Sequence, residues 1–593
     1  MPDLVVDNVT FQYSGAAVPA LSGVRLSIRR GEVVLVAGPS GCGKSTLALA
    51  LSGLIPGRVR GHLAGSVSLG GVALSSLEPH RAAQQVGMVF QDPASQLVTP
   101  MVEAEVAFGP ENLALPRDEI SRRVEEALIA TGTTHLRRAT TASLSGGEKQ
   151  RVAIAATLAM RPEVLILDEP CSDLDPAGAQ AILAVLRRLN QESGTTIVLV
   201  EHRIDEVVEW VDRVVLLDRG RVVLDRPTRV AFDEPQGWDD LGVAVPEVVR
   251  IGHALPEYFA GGSPLSVDDA YQALAGSPAA AALLEPARWP SAPCSHQSAR
   301  EPVISWEGVS LRYDRRSVLS GVDLAVGPGE WLAVAGPNGS GKTSLAELAL
   351  GFRGPTGGAV KVNGHRVDAS DVSRQARQVG YLFQSADTML FTASVAKELG
   401  FALRHRRRSP HPPGRLRRSS LDARRQCPDQ QLRIEKLLEL IGLSDRQDAD
   451  PFSLSAGERE RLAIAALLVE APGALVLDEP TTGQDEGHAR AILTFLDHLR
   501  RAAGLTYVMV THDMRVVARY ATRLAVLAGG RILLDGPPAV VFAHRQELAE
   551  ANLVAPPAAD LHARLVPGPL SRVSLSVPEL LTALGARSLP TPV

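Results

Sequence analysis

Four cysteines in 593 residues, Cys42, Cys171, Cys294 and Cys427, lie far apart and form no CxxC pair. That excludes a disulfide framework or a cysteine zinc site and fits a reducing cytosol. A basic surplus is missing too: 61 Lys and Arg against 66 Asp and Glu leave a net charge of −5, so no global basic field recruits nucleic acid. The N-terminus lacks a basic segment followed by a long apolar core, and no signal peptide is expected. No apolar run approaches the ~18 residues of a spanning helix, so the chain is not expected to cross a membrane alone. What is present is 45% apolar content in a chain too long for one core, which points to several globular domains.

The most informative stretch is Gly38-Pro39-Ser40-Gly41-Cys42-Gly43-Lys44-Ser45-Thr46. It fits G-x-x-x-x-G-K-[ST], follows the apolar run Val33 to Val36 and opens a helix-like stretch, Leu47 to Leu54. A strand delivers such a loop, glycines let backbone N–H groups close around phosphates, and the helix N-terminus adds a positive dipole end. Lys44 is placed to reach β- and γ-phosphates and Ser45 to hold Mg²⁺. The same pattern returns at Gly336-Pro337-Asn338-Gly339-Ser340-Gly341-Lys342-Thr343-Ser344, after Leu332 to Ala335.

The chain is therefore a duplication. Leu144-Ser145-Gly146-Gly147-Glu148 returns 310 residues on as Leu454-Ser455-Ala456-Gly457-Glu458, as do Asp168-Glu169-Pro170 in Asp478-Glu479-Pro480 and His202 in His512. Lys44 and Lys342 are 298 apart, so the second half carries extra residues between Gln384 and Ser455. They coincide with the segment Arg404 to Arg425, which has nine arginines among prolines and serines and reads as a solvated surface loop. The repeat continues beyond these motifs, since Ser266 to Leu274 echoes Ser576 to Leu584. Each half is thus expected to have its own C-terminal extension, with an Ala/Pro-rich tether from about Gly276 to Glu301. Apolar runs such as Val164 to Leu167 and Thr196 to Val200 read as strands of a parallel sheet covered on both faces, with a helix over Ala181 to Leu189 between them.

Asp168-Glu169 and Asp478-Glu479 end apolar strands, where the first carboxylate suits a Mg²⁺ contact and the second can polarise an attacking water. Ser145-Gly146-Gly147 sits before a helix expected to begin near Glu148 and offers a second anion cradle. His202 and His512, each after a strand, suit contact with a γ-phosphate. Gln91 and Gln384 can reach Mg²⁺ or water through an amide that both donates and accepts. Tyr13 and Tyr313 are placed to stack on adenine.

Tyrosine, P-loop, Gln, Leu-Ser-Gly-Gly-Glu, Asp-Glu, an aspartate loop and His, in that order and twice over, resemble the ATP-binding subunits of ABC transporters. The resemblance implies two tandem P-loop NTPase domains of α/β class, each with a mainly parallel sheet core, a helical subdomain and a short C-terminal extension. The expected divisions are 1–240, extension 241–275, linker 276–301, 302–550 with a basic insertion at 404–430, and extension 551–593. It further implies that the halves close head to tail over two ATP molecules. One site would pair Lys44, Asp168 and Glu169 with Ser455, Ala456 and Gly457, and the other Lys342, Asp478 and Glu479 with Ser145 and Gly147. The aspartate loops contribute Asp175 and Asp485, although Gly483-Gln484-Asp485 replaces the usual Leu-Asp-Pro order. ATP and Mg²⁺ are the implied cofactors, with Mg²⁺ held by Ser45, Gln91, Asp168, Thr343, Gln384 and Asp478.

Phe90-Gln91-Asp92-Pro93-Ala94-Ser95-Gln96-Leu97, followed by Val106 to Asn112, is similar to the ATPases of energy-coupling factor (ECF) importers. That likeness implies uptake of a vitamin, vitamin precursor or transition-metal ion, a membrane scaffold and a substrate-binding membrane subunit as partners, no nucleic acid, and a place on the cytoplasmic face of the membrane. The alternatives are a conventional ABC importer ATPase and an ABC-F-like translation ATPase, whose long charged helical linker is replaced here by an Ala/Pro-rich one. Leu97, Val98, Met101, Phe108, Met389, Leu390 and Phe391 are expected to line grooves that receive short scaffold helices.

Overall fold

Five-residue runs in which every side chain is buried, Val33–Ala37, Val164–Asp168 and Thr196–Val200, have only one stable home, the middle of a sheet covered on both faces. In the computed structural model they form it. The structure describes residues 2–172, 174–259, 262–283, 301–313, 316–370, 372–383, 386–406, 428–469, 471–481, 486–566 and 572–585. Gln384, Gly483-Gln484-Asp485, most of the expected linker and nearly all of the basic insertion lie outside the described residues.

In the first half a six-stranded sheet runs in the order 221–227, 213–218, 33–37, 196–200, 164–168, 86–89, and only the first pair is antiparallel. The second half repeats the order, with 531–536, 523–528, 331–335, 506–510, 474–478 and 379–382. Because the strand bearing the P-loop is central in both, its C-terminal end lies next to the end of the strand that leads to the histidine and one strand away from the end that carries Asp168 or Asp478. A four-stranded antiparallel sheet, 21–29, 2–13, 61–69 and 72–73, covers one face, and 316–326, 304–313, 357–362 and 365–366 do the same in the second half. The helix expected over Ala181 to Leu189 is the longer Pro176–Ser193, which buries Ile182, Leu183 and Leu186 and ends at Gly194 in a left-handed conformation.

Helices Val102–Asn112, Arg117–Ala130 and Gly146–Leu158 form a separate helical subdomain around Val106, Leu128 and Val152. Two helix starts correct the sequence reading. The helix after the first P-loop runs Lys44–Leu51, and the one after Ser145 starts at Gly146, two residues before Glu148. Ser145 is the reason: its hydroxyl accepts from Glu148 N–H at 3.4 Å while the Glu148 carboxylate accepts from Ser145 N–H at 2.8 Å, a reciprocal cap.

The two C-terminal extensions pack on each other. Helices Glu247–Ala254, Val267–Leu274 and Pro278–Ala282 of the first half share one core with Pro557–Leu565 and Val577–Ala583 of the second. Ile251, Leu255, Leu274, Leu561, Leu580 and Leu581 are buried in it. Ala558 N–H donates to Glu247 at 3.1 Å, and Arg564 pairs with Asp268 across the same junction. The Ala-rich start of the expected tether belongs to this core, since Ala279, Ala280 and Leu283 are buried there.

Candidate functional site

Each P-loop wraps its own lysine. Gly43 has φ 110 and lies so near the start of strand Leu21–Arg29 that an added Cβ would sit 2.5 Å from the Ala20 carbonyl; only glycine fits. Lys44 is buried, and its ammonium donates to the carbonyls of Gly38 and Pro39, both at 2.9 Å. Lys342 does the same toward Gly336 and Pro337, at 2.8 and 3.0 Å. Burial lowers the Lys342 pKa, with Glu479, Asp175 and Asp478 opposing it; Asp175 comes from the other half. Ser40, Gly41, Ser45, Asn338, Gly339 and Thr343 stand exposed along the loops, while Cys42, Thr46 and Ser340 are buried.

Tyr13 and Tyr313 are tied down by their hydroxyls. Tyr13 Oη lies 3.0 Å from Thr46 Oγ1, and Tyr313 Oη lies 3.3 Å from Ser344 Oγ. The Arg353 guanidinium stands 4.9 Å above the Tyr313 ring.

Asp168 is buried at its strand end, and its Oδ1 has no hydrogen-bond partner among the described residues. Burial raises its pKa and a hydrogen bond from Ser45 opposes the rise. An ionisable, orphaned oxygen beside a hydroxyl is a donor set that a hard divalent cation suits, so these residues fit Mg²⁺. Asp478 is likewise raised by burial.

Glu169 and Glu479 both adopt φ 50, a left-handed backbone rare for glutamate. Glu169 N–H donates to the Val200 carbonyl at 2.9 Å, which turns the side chain out of the sheet toward the loops. Its carboxylate is then clamped: Gln91 Nε2 donates to Oε2 at 3.0 Å, and His202 Nε2 lies 2.8 Å from Oε1. In the second half His512 Nδ1 lies 2.9 Å from Glu479 Oε1. Gln, Glu and His, 78 and 33 residues apart along the chain, thus converge on one carboxylate.

Ser145 and Ser455 are exposed, and each is tied to its own helix by Glu148 or Glu458. Gly146 is exposed, whereas Gly457 is buried. Among the described residues, Asp175 joins one half to the other's P-loop. Its Oδ1 accepts from Gly178 N–H at 2.8 Å to start a helix, and its Oδ2 accepts from Asn338 N–H at 3.0 Å.

Several residues here carry no motif. Tyr381 Oη donates to Asp478 Oδ2 at 2.7 Å. Arg203 reaches His512 of the other half, and Asp205 pairs with Arg515 across the same junction at 3.0 Å. Buried Glu105 accepts from Val98 and Thr99 N–H, and Glu398 accepts from Phe391 and Thr392 N–H. The matched spacing of these two glutamates within the repeat was the signal available in the sequence.

The segments after the glutamines divide into two classes. Val98 and Phe391 are 63% and 61% exposed, and Met101 and Phe108 are also exposed. Leu390 is buried, and Leu97 and Met389 are half-buried against the core, which corrects the expectation that all of them line a surface groove. Leu390 points inward because Glu398 holds the following two amides, and with them the loop, in place.

An ABC transporter family model matches residues 21–172 and 319–482. A protein of Methanosarcina acetivorans, named as an ABC transporter ATP-binding protein, is 38% identical over 598 residues, spanning 99% of this chain and 93% of its own length. YkoD of Bacillus subtilis, whose name describes an HMP/thiamine import ATP-binding protein, is 31% identical over 557 residues, or 93% and 95% of the two chains. Among solved structures, cbiO1 of Clostridium perfringens, described as part of the ABC transporter complex cbiONQ, is 36% identical; the match covers 43% of this chain and 99% of that one, with a TM-score of 0.37.

Proposed function

The chain belongs to the ABC transporter ATP-binding family, and from that premise we propose that it is the ATP-hydrolysing subunit of an ECF-type importer for a vitamin or vitamin precursor. ATP hydrolysis within a transporter follows from family membership. The finer reading draws on the likeness of the Gln91 to Asn112 segment to ECF ATPases and on the full-length relative named for HMP/thiamine import.

Lys44 and Lys342 bind the β- and γ-phosphates in this reading, and the backbone N–H groups of each P-loop close around them. Mg²⁺, when bound, neutralises phosphate charge, and Ser45, Asp168 and Gln91 would hold it in one site and Thr343, Asp478 and Gln384 in the other. Glu169 and Glu479 orient the attacking water and take up its proton as the bond from the γ-phosphorus to the leaving ADP oxygen breaks. His202 and His512 fix those carboxylates. Ser455 and Gly457 complete the first site and Ser145 and Gly147 the second. Asp485 is the second half's counterpart of Asp175.

The observation that carries the reading is the Gln91–Glu169–His202 clamp, which a merely structural acid at a strand end does not need. Glu169→Gln and Glu479→Gln should each leave ATP binding intact and slow turnover by orders of magnitude, on the scale of a lost general base. Wild-type hydrolysis in either variant would show that its glutamate has another role. For the importer assignment, purification from native membranes in mild detergent should recover the chain with an integral scaffold and a small substrate-binding membrane protein. Recovery with ribosomes, or with a conventional permease and an extracellular binding protein, overturns it.

A further inference from the structure

The residue after each strand-end histidine differs between the halves: Arg203 follows His202, and Asp513 follows His512. Asp513 turns to its own helix, its carboxylate accepting from Arg515 N–H at 2.9 Å and Val516 N–H at 3.4 Å. Arg203 instead crosses between the halves. Its Nη1 donates to Glu206 Oε1 at 3.2 Å, which aims the guanidinium, and its Nη2 lies 2.8 Å from His512 Nε2.

Guanidinium has donors and no acceptor, so His512 Nε2 must be the acceptor of that bond and carries no proton. The ring's proton is then on Nδ1, 2.9 Å from Glu479 Oε1, and the imidazole donates to the carboxylate. In the first half the ring is turned over, and His202 meets Glu169 through Nε2 at 2.8 Å. The two glutamates are therefore held by opposite nitrogens of equivalent histidines, and the difference traces to one arginine.

We propose that Arg203 is a positioning residue of the second ATP site: it fixes His512 as the Nδ1–H tautomer and through it the Glu479 carboxylate, so that the first half supplies part of the second half's hydrolytic geometry. The inference rests on the role given above to Glu479.

Site-resolved trapping tests it on the full chain. Vanadate with photoreactive 8-azido-ATP labels whichever site reaches the transition state, and cleavage at a protease site inserted in the 284–300 stretch followed by a denaturing gel separates the halves afterwards. R203M keeps the stem and volume of the side chain without its donors, and should cut trapping in the second half about tenfold while the first half stays within about twofold, the scale of one charge-assisted hydrogen bond. Binding of 8-azido-ATP without vanadate should not change in either half. R203K restores a donor and should recover most of the trapping, which a packing role would not require. Equal loss in both halves, no loss, or equal behaviour of the Met and Lys variants overturns the proposal. E479Q serves as the control: if it leaves second-half trapping intact, the role of Glu479 fails first. A measurement independent of Arg203 variants is the imidazole ¹⁵N spectrum of wild-type protein, with His512 assigned by H512Q. It should show Nδ1–H, and an Nε2–H or doubly protonated ring overturns the proposal.

Discussion

At the scale of single residues, the halves share their motifs and differ in what surrounds them. Met88 and Tyr381 occupy the same register, opposite Ile166 and Val476 in equivalent strand pairs. Only Tyr381 donates a hydrogen bond to the neighbouring strand-end aspartate, and burial with the Asp478 charge raises its own pKa. That bond takes up one of the two carboxylate oxygens of a residue placed to hold the metal. Tyr381→Phe should lower the Mg²⁺ concentration for half-maximal ATPase by about tenfold, since a hydrogen bond to a charged group is worth about 1.5–3 kcal/mol; an unchanged or raised requirement in a Mg²⁺ titration contradicts this. Glu201 is a second asymmetry, because its counterpart 310 residues on is Thr511. Burial, then the nearby Glu206 and Glu169, push its pKa from 4.5 to about 8. An acid whose folded pKa lies above its unfolded one retains a proton that the unfolded chain releases, so stability falls as pH rises from 4.5 to about 8. Glu201→Gln keeps the acceptor for Cys171 N–H and removes that decline. Thermal melts should show it close to wild type near pH 5 and more stable near pH 9, and parallel pH curves would refute the assignment.

At the scale of elements, what was legible in the sequence is what local pattern determines. Wholly apolar five-residue runs gave the central strands, and Gly-Lys-Ser and Asp-Glu placed the P-loops and strand ends. The helix start after Ser145 was missed because Ser145 is bound to Glu148 in a cap that begins the helix at Gly146. Tyr381, Arg203, Glu105 and Glu398 were missed for another reason: each acts on a residue brought near only by the fold or by loop closure. Leu390 was assigned to the surface because composition cannot tell an inward loop residue from an outward one. Phe391, beside it, is exposed and stacked edge-on against Phe401 at 4.7 Å, and Val98 holds the same place in the first half. Under the importer reading, Phe391→Asp and Phe108→Asp should abolish uptake and scaffold binding and leave the ATPase rate of the isolated chain within about twofold, as for surface substitutions. Leu390→Asp should instead unfold the region by burying a charge. Uptake that persists in both surface variants would place the coupling surface elsewhere.

At the scale of the whole molecule, the shared C-terminal core joins the halves independently of the sequence between them. Each fully buried leucine contributes roughly 1.5–3 kcal/mol, and Leu255, Leu274, Leu561, Leu580 and Leu584 are all buried there. After cleavage at a protease site inserted in the 284–300 stretch, the two fragments should co-elute in size-exclusion chromatography at micromolar concentration. Leu274→Asp with Leu580→Asp should make them separate; separation of the wild-type fragments would show that the core does not hold the pair. This junction also bears on how the two sites came to differ. In an assembly of two identical chains, any substitution appears at both sites at once, so a residue useful at one and harmful at the other cannot be inherited. Here the first half always meets the second, and each position has its own ancestry. Arg203 facing His512 while Asp513 stays at home, or tyrosine where the other half has methionine, is a division of labour that two identical chains cannot pass on.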